Sequence, residues 1–204
     1  MKKATLFICI AVLALTLALV SSQTVQAGVA GTAHDFSAAG WNTSGELCAP
    51  CHTPHNSNSH APLWDREVST GPYTLYTSWG LDATLVDPSV DSKSSLECLS
   101  CHDGTIAIDS YGGATGTTFV SAANNVGTDL SDDHPIGFVY QEAIDNGDTG
   151  LVDAATVQAA GLLISFPGQV ECGSCHDVHD DAGNAKLLKM SNANSALCTA
   201  CHVK

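Results

Sequence analysis

The stretch Cys48-Ala49-Pro50-Cys51-His52 decides the fold, because its pattern, C-x-x-C-H, occurs four times in the chain. We number the copies in chain order: motif 1 is residues 48–52, and motifs 2 to 4 are Cys98-Leu99-Ser100-Cys101-His102, Cys172-Gly173-Ser174-Cys175-His176 and Cys198-Thr199-Ala200-Cys201-His202. Residues i, i+3 and i+4 share one face of a helical turn, so each copy can present two thiols and an imidazole together. This pattern is the attachment signal for a c-type haem, with the cysteines bonded to the porphyrin and the histidine bound to iron.

Two other uses of paired cysteines are disulfide bonds and zinc sites. Neither requires a histidine directly after the second cysteine in every copy. All of the nine cysteines except Cys9 belong to the four motifs. The sequence therefore predicts four covalent c-type haems, with His52, His102, His176 and His202 as proximal iron ligands.

The start of the chain has the pattern of a secretory signal peptide. Met1-Lys2-Lys3 is basic, residues 4–20 are apolar apart from two threonines, and small residues precede Gly28. We expect cleavage after Ala27, which divides the chain into a cleaved signal peptide, 1–27, and a tetrahaem cytochrome c domain, 28–204. An uncleaved membrane anchor is the alternative, although the apolar run is short of the ~20 residues that span a bilayer. Cys9 lies in this run and is expected to leave with the signal peptide.

The charge of the mature chain limits its partners. Loss of Lys2 and Lys3 leaves five basic and 21 acidic residues, which changes the formal net charge from −14 to −16. Such a balance makes nucleic acid an implausible partner. Other redox cytochromes, metal cations and mineral surfaces such as metal oxides remain open, as does acidity that serves solubility alone.

The composition predicts a mostly irregular, loop-rich fold with a few short helices and short β-hairpins, in which the chain wraps around four closely packed c-type haems. Gly, Ser, Thr, Asn and Asp are abundant, as in residues 109–116. Residues 162–171 predict a hairpin before motif 3, and Asn192 to Ala200 predicts a helix with Ser191 or Asn192 as its N-cap. We expect no ordinary hydrophobic core, and we expect the scattered aromatic residues to pack on haem faces.

The spacing of the motifs is irregular and predicts one domain without a solenoid repeat. The motifs begin at residues 48, 98, 172 and 198, and no proline-rich or charged linker separates them. The chain has too few residues per haem to form a separate domain around each haem. The haems should therefore lie close together.

The second axial ligand of each iron must come from outside the motifs. Besides the motif histidines, the chain has five: His34, His55, His60, His134 and His179. Met190 is an alternative ligand that would raise a haem potential, but it competes with abundant imidazole. His55 and His179 follow a motif histidine by three residues and cannot reach the opposite face of the same haem, so each should serve a neighbouring haem. One histidine is left over, and our candidate for it is His60.

Six phrases of the chain resemble the multihaem cytochromes that carry doubled C-x-x-C-H motifs. They are CAPCHTPHN (48–56), APLWDR (61–66), CLSCHDGTIA (98–107), DLSDDHPIGF (129–138), VECGSCHDVH (170–179) and SALCTACH (195–202). The resemblance, which is strongest to tetrahaem members that polymerise into extracellular filaments, implies bis-His haems and electron transport outside the cytoplasmic membrane. It also implies His34, His55, His134 and His179 as distal ligands, while His60 departs from the family pattern.

These observations predict an electron-transfer protein rather than an enzyme. Irons with both axial positions filled by protein bind no substrate, whereas a multihaem reductase needs one open position. A soluble periplasmic shuttle is the alternative to a filament. For a filament of self-associated subunits, we expect a histidine donated in trans to the iron of the next subunit, with His55 as the candidate donor and His34 as the alternate.

Overall fold

A computed structural model describes residues 28–60, 62–92, 94–163, 168–179 and 183–203. The predicted signal peptide lies outside these residues, and so do residues 164–167 of the hairpin expected before motif 3; Leu162 and Leu163 are described and form no strand. Within the described ranges, no helix is both long enough and apolar enough to cross a membrane.

Loops and turns form most of the described chain. The α-helices are short: α1 (Ser95–His102), α2 (Tyr140–Asp145), α3 (Ala154–Ala159), α4 (Cys172–Cys175) and α5 (Ala196–Cys201). Short 3-10 turns occur at Ala122–Asn124, Ala185–Leu187 and Ala193–Ser195. The predicted loop-rich architecture with a few short helices is confirmed, whereas wrapping of the chain around haem stays a prediction.

The β-structure in the described residues is one two-stranded antiparallel sheet. Strand β1 (Phe138–Val139) pairs with β2 (Gln169–Val170), with Phe138 opposite Val170. The sequence correctly suggested extended backbone at β2, but its partner is a strand from much earlier in the chain. Gly137 permits this approach, because its φ of +77° suits glycine and a side chain there would meet the carbonyl of Val86.

Two small hydrophobic clusters correct the expectation that no ordinary core exists. The first contains Phe138, Tyr140, Val157, Leu162, Leu163 and Val170, and the second contains Tyr73, Leu96, Leu99 and Leu130. The members of each cluster come from segments that are far apart in sequence, so no single run of apolar residues predicts the clusters. Contacts between these buried side chains therefore hold together segments that are otherwise joined only by loops.

The aromatic residues differ in burial, and packing of the exposed ones on haem faces stays a prediction. Trp79 is fully exposed, and the side chain of Phe119 is 52% exposed. Tyr73 and Tyr140 are buried in the two clusters, and their hydroxyls bind protein groups. The Tyr73 hydroxyl donates to the Asp103 carboxylate at 2.7 Å, and the Tyr140 hydroxyl lies 2.9 Å from the carbonyl of Cys201.

Helix α5 starts later than predicted. Asn194 and Ser195, at the end of the 3-10 turn, have left-handed φ values of 55° and 62°, and the α-helix begins only after them, at Ala196. Neither predicted residue is the N-cap of the helix, which is Ser195; Ser191 accepts a hydrogen bond from the backbone of Ala193 at 3.2 Å.

Candidate haem-binding sites

Each C-x-x-C-H motif forms a single helical turn. In motif 2 the histidine ends helix α1. In the other motifs the histidine N–H donates to the first cysteine's carbonyl, at 2.9 Å for His52 and Cys48, 3.1 Å for His176 and Cys172, and 2.9 Å for His202 and Cys198. The two cysteines and the histidine of each copy thus lie on one face of a turn, as covalent attachment requires.

The eight motif cysteines are free thiols. In the described part of the chain, no group of three or more Cys, His, Asp or Glu side chains is arranged to hold a metal ion.

The rings of three motif histidines are oriented by backbone carbonyls. The Nδ1 atoms lie 2.9 Å from the Pro62 oxygen for His52, 2.7 Å from the Asn124 oxygen for His102, and 2.9 Å from the Lys186 oxygen for His176. A carbonyl only accepts, so Nδ1 carries the proton and Nε2 keeps its lone pair. Metal-bound histidines are commonly held in this way, with the second ring nitrogen bonded to a carbonyl or carboxylate.

Three motif histidines are each paired with a histidine from outside the motifs. The ring centres are 6.0 Å apart for His34 and His102, 6.0 Å for His52 and His179, and 6.3 Å for His134 and His202. A bond of about 2 Å from metal to nitrogen, plus about 1 Å from nitrogen to ring centre, on both sides of one ion separates two ring centres by about 6 Å. These three pairs therefore fit two axial imidazoles with an iron between them.

His34 has a buried ring nitrogen that no protein group satisfies. Its Nδ1 has no hydrogen-bond partner in the described residues. Burial, and then the charges of His102 and His176, lower the pKa of His34. The imidazole is thereby kept neutral, which is the form that binds a metal.

The other two partner histidines have defined local settings. His134 holds its Nδ1 2.9 Å from the carbonyl of Pro135, so its Nε2 is free to accept. The backbone N–H of His179 donates to Asp177 at 2.8 Å, which shapes the turn after motif 3. The structure thus places His179 beside the histidine of a different motif, three residues beyond its own motif.

Two of the five histidines outside the motifs form no ring pair with a motif histidine. His55 and His60 are exposed, and neither ring contacts another imidazole in the described chain. Among the described residues the His176 ring contacts no second imidazole, although its charge acts on His34 and it shares a cleft with His134. The structure therefore brings together His34, His134 and His179 with motif histidines, and leaves His55 unplaced.

Motifs 1 and 3 share a local structure that the sequence analysis did not find. In both, the chain turns back toward the motif after leaving it. The backbone N–H of the residue fourteen positions after the second cysteine donates to the carbonyl of that cysteine. The two bonds are Asp65 to Cys51 and Lys189 to Cys175, each 2.9 Å. Leu63 and Leu187, at equivalent positions, both have left-handed backbone, with φ values of 59° and 55°.

The signal for this repeat is present in the sequence but short. Both segments contain H-x-x-H, followed by A-x-L at residues 61–63 and 185–187. By this equivalence, His55 after motif 1 corresponds to His179 after motif 3.

Motifs 2 and 3 are joined at a buried carboxylate. Glu171 is 1% exposed, and it accepts hydrogen bonds from the Ser95 backbone N–H and hydroxyl at the start of α1. It also forms a capping box with Ser174 at the start of α4. One side chain therefore caps the two helices that carry motifs 2 and 3, a role that the sequence analysis missed although E-x-x-S precedes the motif histidine.

The same junction brings two motif cysteines together. The Cys172 N–H donates to the Ser95 hydroxyl at 3.0 Å, which sets the two helices side by side. The Cys98 thiol donates to the Ser94 carbonyl at 3.3 Å and lies beside the Cys172 thiol. The interaction of the two thiols, together with burial, raises the pKa of Cys98, whereas the same interaction lowers the pKa of Cys172.

The remaining motifs adjoin in chain order. Burial raises the pKa of Cys51 to about 11, against the lowering effect of Arg66, and the nearby Cys101 adds to the increase. Burial and then the charge of Cys175 raise the pKa of Cys201. Motif 1 is thus beside motif 2, and motif 3 beside motif 4.

A cleft of about 210 Å³ opens at motif 3. Cys172, Cys175 and His176 lie along one part of it. The rest is lined mostly by apolar side chains, which include Leu75, Leu130 and Ile136, together with Asp133, His134 and Glu171. An apolar cleft beside two cysteines and a histidine suits a large flat apolar group attached there.

The comparison with protein families agrees with this arrangement. Residues 167–204 match the family described as Doubled CXXCH motif, and this range contains motifs 3 and 4. No curated protein matches the chain. Since C-x-x-C-H motifs imply covalent c-type haem, the match supports placing the protein among the multihaem c-type cytochromes.

Proposed function

We propose that the protein is a tetrahaem c-type cytochrome that carries electrons outside the cytoplasmic membrane and catalyses no reaction of its own. The observation that carries the proposal is the set of three histidine pairs, each about 6 Å between ring centres, beside C-x-x-C-H turns. Two protein ligands on an iron leave no position for substrate, which favours electron transfer over a multihaem reductase.

Each bound haem would supply an iron that accepts and releases one electron. The eight motif cysteines hold the porphyrins covalently. The carbonyls of Pro62, Asn124 and Lys186 fix the imidazole rings, so the ligand geometry need not change between redox states.

The proposed distal ligands follow from the ring pairs. His34 serves the haem of motif 2, His179 that of motif 1, and His134 that of motif 4. This leaves the haem of motif 3, held by His176, in need of a distal ligand, and the remaining predicted ligand is His55.

We further propose that the protein polymerises head to tail into an extracellular filament, in which His55 of one subunit binds the motif 3 iron of the next. The resemblance to the filament cytochrome OmcE motivates this step. Two observations support it: His55 is exposed, and its counterpart in the local repeat, His179, lies beside the histidine of another motif. A coordination bond also links subunits without the large apolar interface that stable association otherwise needs. His34, the alternate donor, is paired within its own chain.

Export is part of the proposal and rests on the predicted signal peptide, residues 1–27. An extracellular or cell-surface position would give the acidic mature chain access to other redox cytochromes and to metal oxides. A soluble periplasmic shuttle needs the same haems and ligands but no subunit contact.

The haem proposal is tested on protein matured in a host that attaches c-type haem. Intact mass after denaturation should show four covalent haems, because thioether bonds survive unfolding. The absorption spectra should be low-spin in both redox states. Fewer than four haems on fully matured protein, or rapid binding of carbon monoxide to one reduced haem of the assembled protein, would contradict it and favour the reductase.

The filament proposal is tested with His55→Ala, and His60→Ala is the matched control because it removes a neighbouring exposed histidine. Electron microscopy of the secreted His55→Ala protein should show no filaments, and its monomer should carry one high-spin haem. The control should keep both filaments and spectrum. Filaments with normal spectra from His55→Ala would exclude His55 as the donor, and a fully low-spin wild-type monomer would show that ligation occurs within the chain.

A further inference from the structure

Arg66 is a buried cation that the proposed ligation does not use. It is 3% exposed, and its guanidinium donates to three backbone carbonyls, those of Pro50 at 3.2 Å, Ile108 at 2.9 Å and Ala107 at 2.7 Å. Arginine stays protonated in proteins, so these contacts hold a full positive charge inside the molecule. Carbonyl dipoles solvate this charge without neutralising it.

The charge of Arg66 has no ionic partner within the described chain. No carboxylate there lies at ion-pair distance from it, and its Nε is buried without an acceptor. Burial of a charge without an ionic partner costs folding free energy. We interpret the presence of Arg66 here as a sign that its charge acts on a nearby group.

The position of Arg66 identifies what it acts on. Its contact with Pro50 puts the guanidinium beside Cys51, and its contacts at residues 107–108 put it beside the loop after motif 2. The Arg66 charge lies near both Cys51 and Cys101.

The local repeat supplies an internal comparison. Arg66 lies fourteen residues after His52, and the residue fourteen after His176 is Met190, which is neutral and packs against the first hydrophobic cluster. The preceding equivalent positions hold Asp65 and Lys189, which are partly buried. Burial raises the pKa of both Cys51 and Cys175; the charge of Asp65 adds to the increase at Cys51, whereas that of Lys189 acts to lower the pKa of Cys175.

Motif 2 differs from motif 1 in its other charges. Asp103 directly follows the motif 2 histidine and is 4% exposed, so a buried carboxylate opposes Arg66 there. At motif 1 the opposing carboxylate is Asp65, which is less buried than Asp103 and has a smaller effect on Cys51 than Arg66 does.

We propose that Arg66 raises the reduction potential of the haem held by Cys48, Cys51 and His52. A positive charge stabilises the ferrous iron, which carries one positive charge fewer than ferric iron. Electrons would then rest more readily on the motif 1 haem than they would without Arg66. The inference rests on the proposed attachment of haem to these motifs.

The test is Arg66→Met, which gives motif 1 the residue of motif 3. Haem loading is first measured by intact mass and spectra, and then each midpoint potential is measured by a redox titration followed by absorption and electron paramagnetic resonance. One charge about 10 Å away at an effective dielectric constant of about 20 changes an equilibrium about tenfold. We therefore expect the ratio of reduced to oxidised motif 1 haem, at fixed potential, to fall about tenfold, or ~59 mV.

Two control variants separate charge from packing. Arg66→Lys keeps the charge and should keep the motif 1 potential close to wild type. Met190→Leu changes packing at the equivalent position and should leave all potentials unchanged. If Arg66→Met fails to mature, Arg66→Lys decides alone, because a large fall in the motif 1 potential with the charge retained would overturn the proposal.

Each outcome has a distinct meaning. Unchanged potentials in a fully loaded Arg66→Met protein overturn the role of Arg66 but leave the cytochrome proposal intact. Wild-type protein that carries no covalent haem overturns the proposed function itself.

Discussion

Removal of the His179 ring should open the haem of motif 1, although His179 lies three residues after motif 3. Its ring centre is 6.0 Å from that of His52, and the other pairs occupy His34 and His134. In the described part of the chain, no other imidazole contacts the His52 ring and could replace it. His179→Ala should convert one haem of four to a high-spin, five-coordinate state.

The measurement is a carbon monoxide titration of the reduced, disaggregated monomer followed by absorption. Relative to wild type treated identically, His179→Ala should bind one further equivalent of carbon monoxide per chain, and a quarter of the haem absorbance should change from low-spin to high-spin. His60→Ala should bind no more than wild type, because its ring contacts no other imidazole in the described chain.

The identity of the opened haem is established by removing attachment sites. In a chain with Cys48→Ser and Cys51→Ser, His179→Ala should add no further high-spin haem, because its target is already absent. In a chain with Cys198→Ser and Cys201→Ser, the same change should still add one. An added high-spin haem in the first background would refute the pairing of His179 with His52.

Three further predictions concern stability, and each is checked by denaturant unfolding of the matured protein. Glu171→Ala should lower the free energy of unfolding by about 3 kcal/mol or more, because several buried donors at two helix starts lose their acceptor. Tyr73→Phe should cost about 2 kcal/mol by leaving buried Asp103 without its 2.7 Å donor, whereas Tyr111→Phe, which loses a 3.3 Å bond, should cost less than about 1 kcal/mol. Gly137→Ala should cost about 2 kcal/mol or more, because φ is +77° and the new methyl group meets the backbone of Val86. An unfolding midpoint that does not change in one of the three variants would contradict the structural reason given for that variant.

The sequence predicted those parts of the site that depend on neighbours in the chain. Four cysteine pairs, each with a following histidine, need only one helical turn, and a turn is a local structure that five residues define. The three-residue spacing of His179 from His176 likewise excluded ligation of the same haem, whatever the rest of the fold.

The partners across space could not be predicted, for a physical reason. The groups that orient the motif histidines are carbonyls of Pro62, Asn124 and Lys186, and every residue carries a carbonyl, so side-chain identity gives no signal. The pairing of His34 with His102 depends on how distant loops pack. The repeat shared by motifs 1 and 3 was detectable, but its common residues are too few to stand out without the backbone bonds.

Because of the junction at Glu171, the distance between motifs 2 and 3 does not depend on the length of the chain that joins them. Residues 103–171 leave α1 and return to α4, where bonds to Ser94 and Ser95 close the excursion at its base. Doubling a flexible loop costs only about 0.6 kcal/mol in closure entropy. A peptide tag or a small folded domain could therefore be inserted at the exposed glycines 112–113, giving an addressable surface handle while the cysteines of motifs 2 and 3 keep their separation.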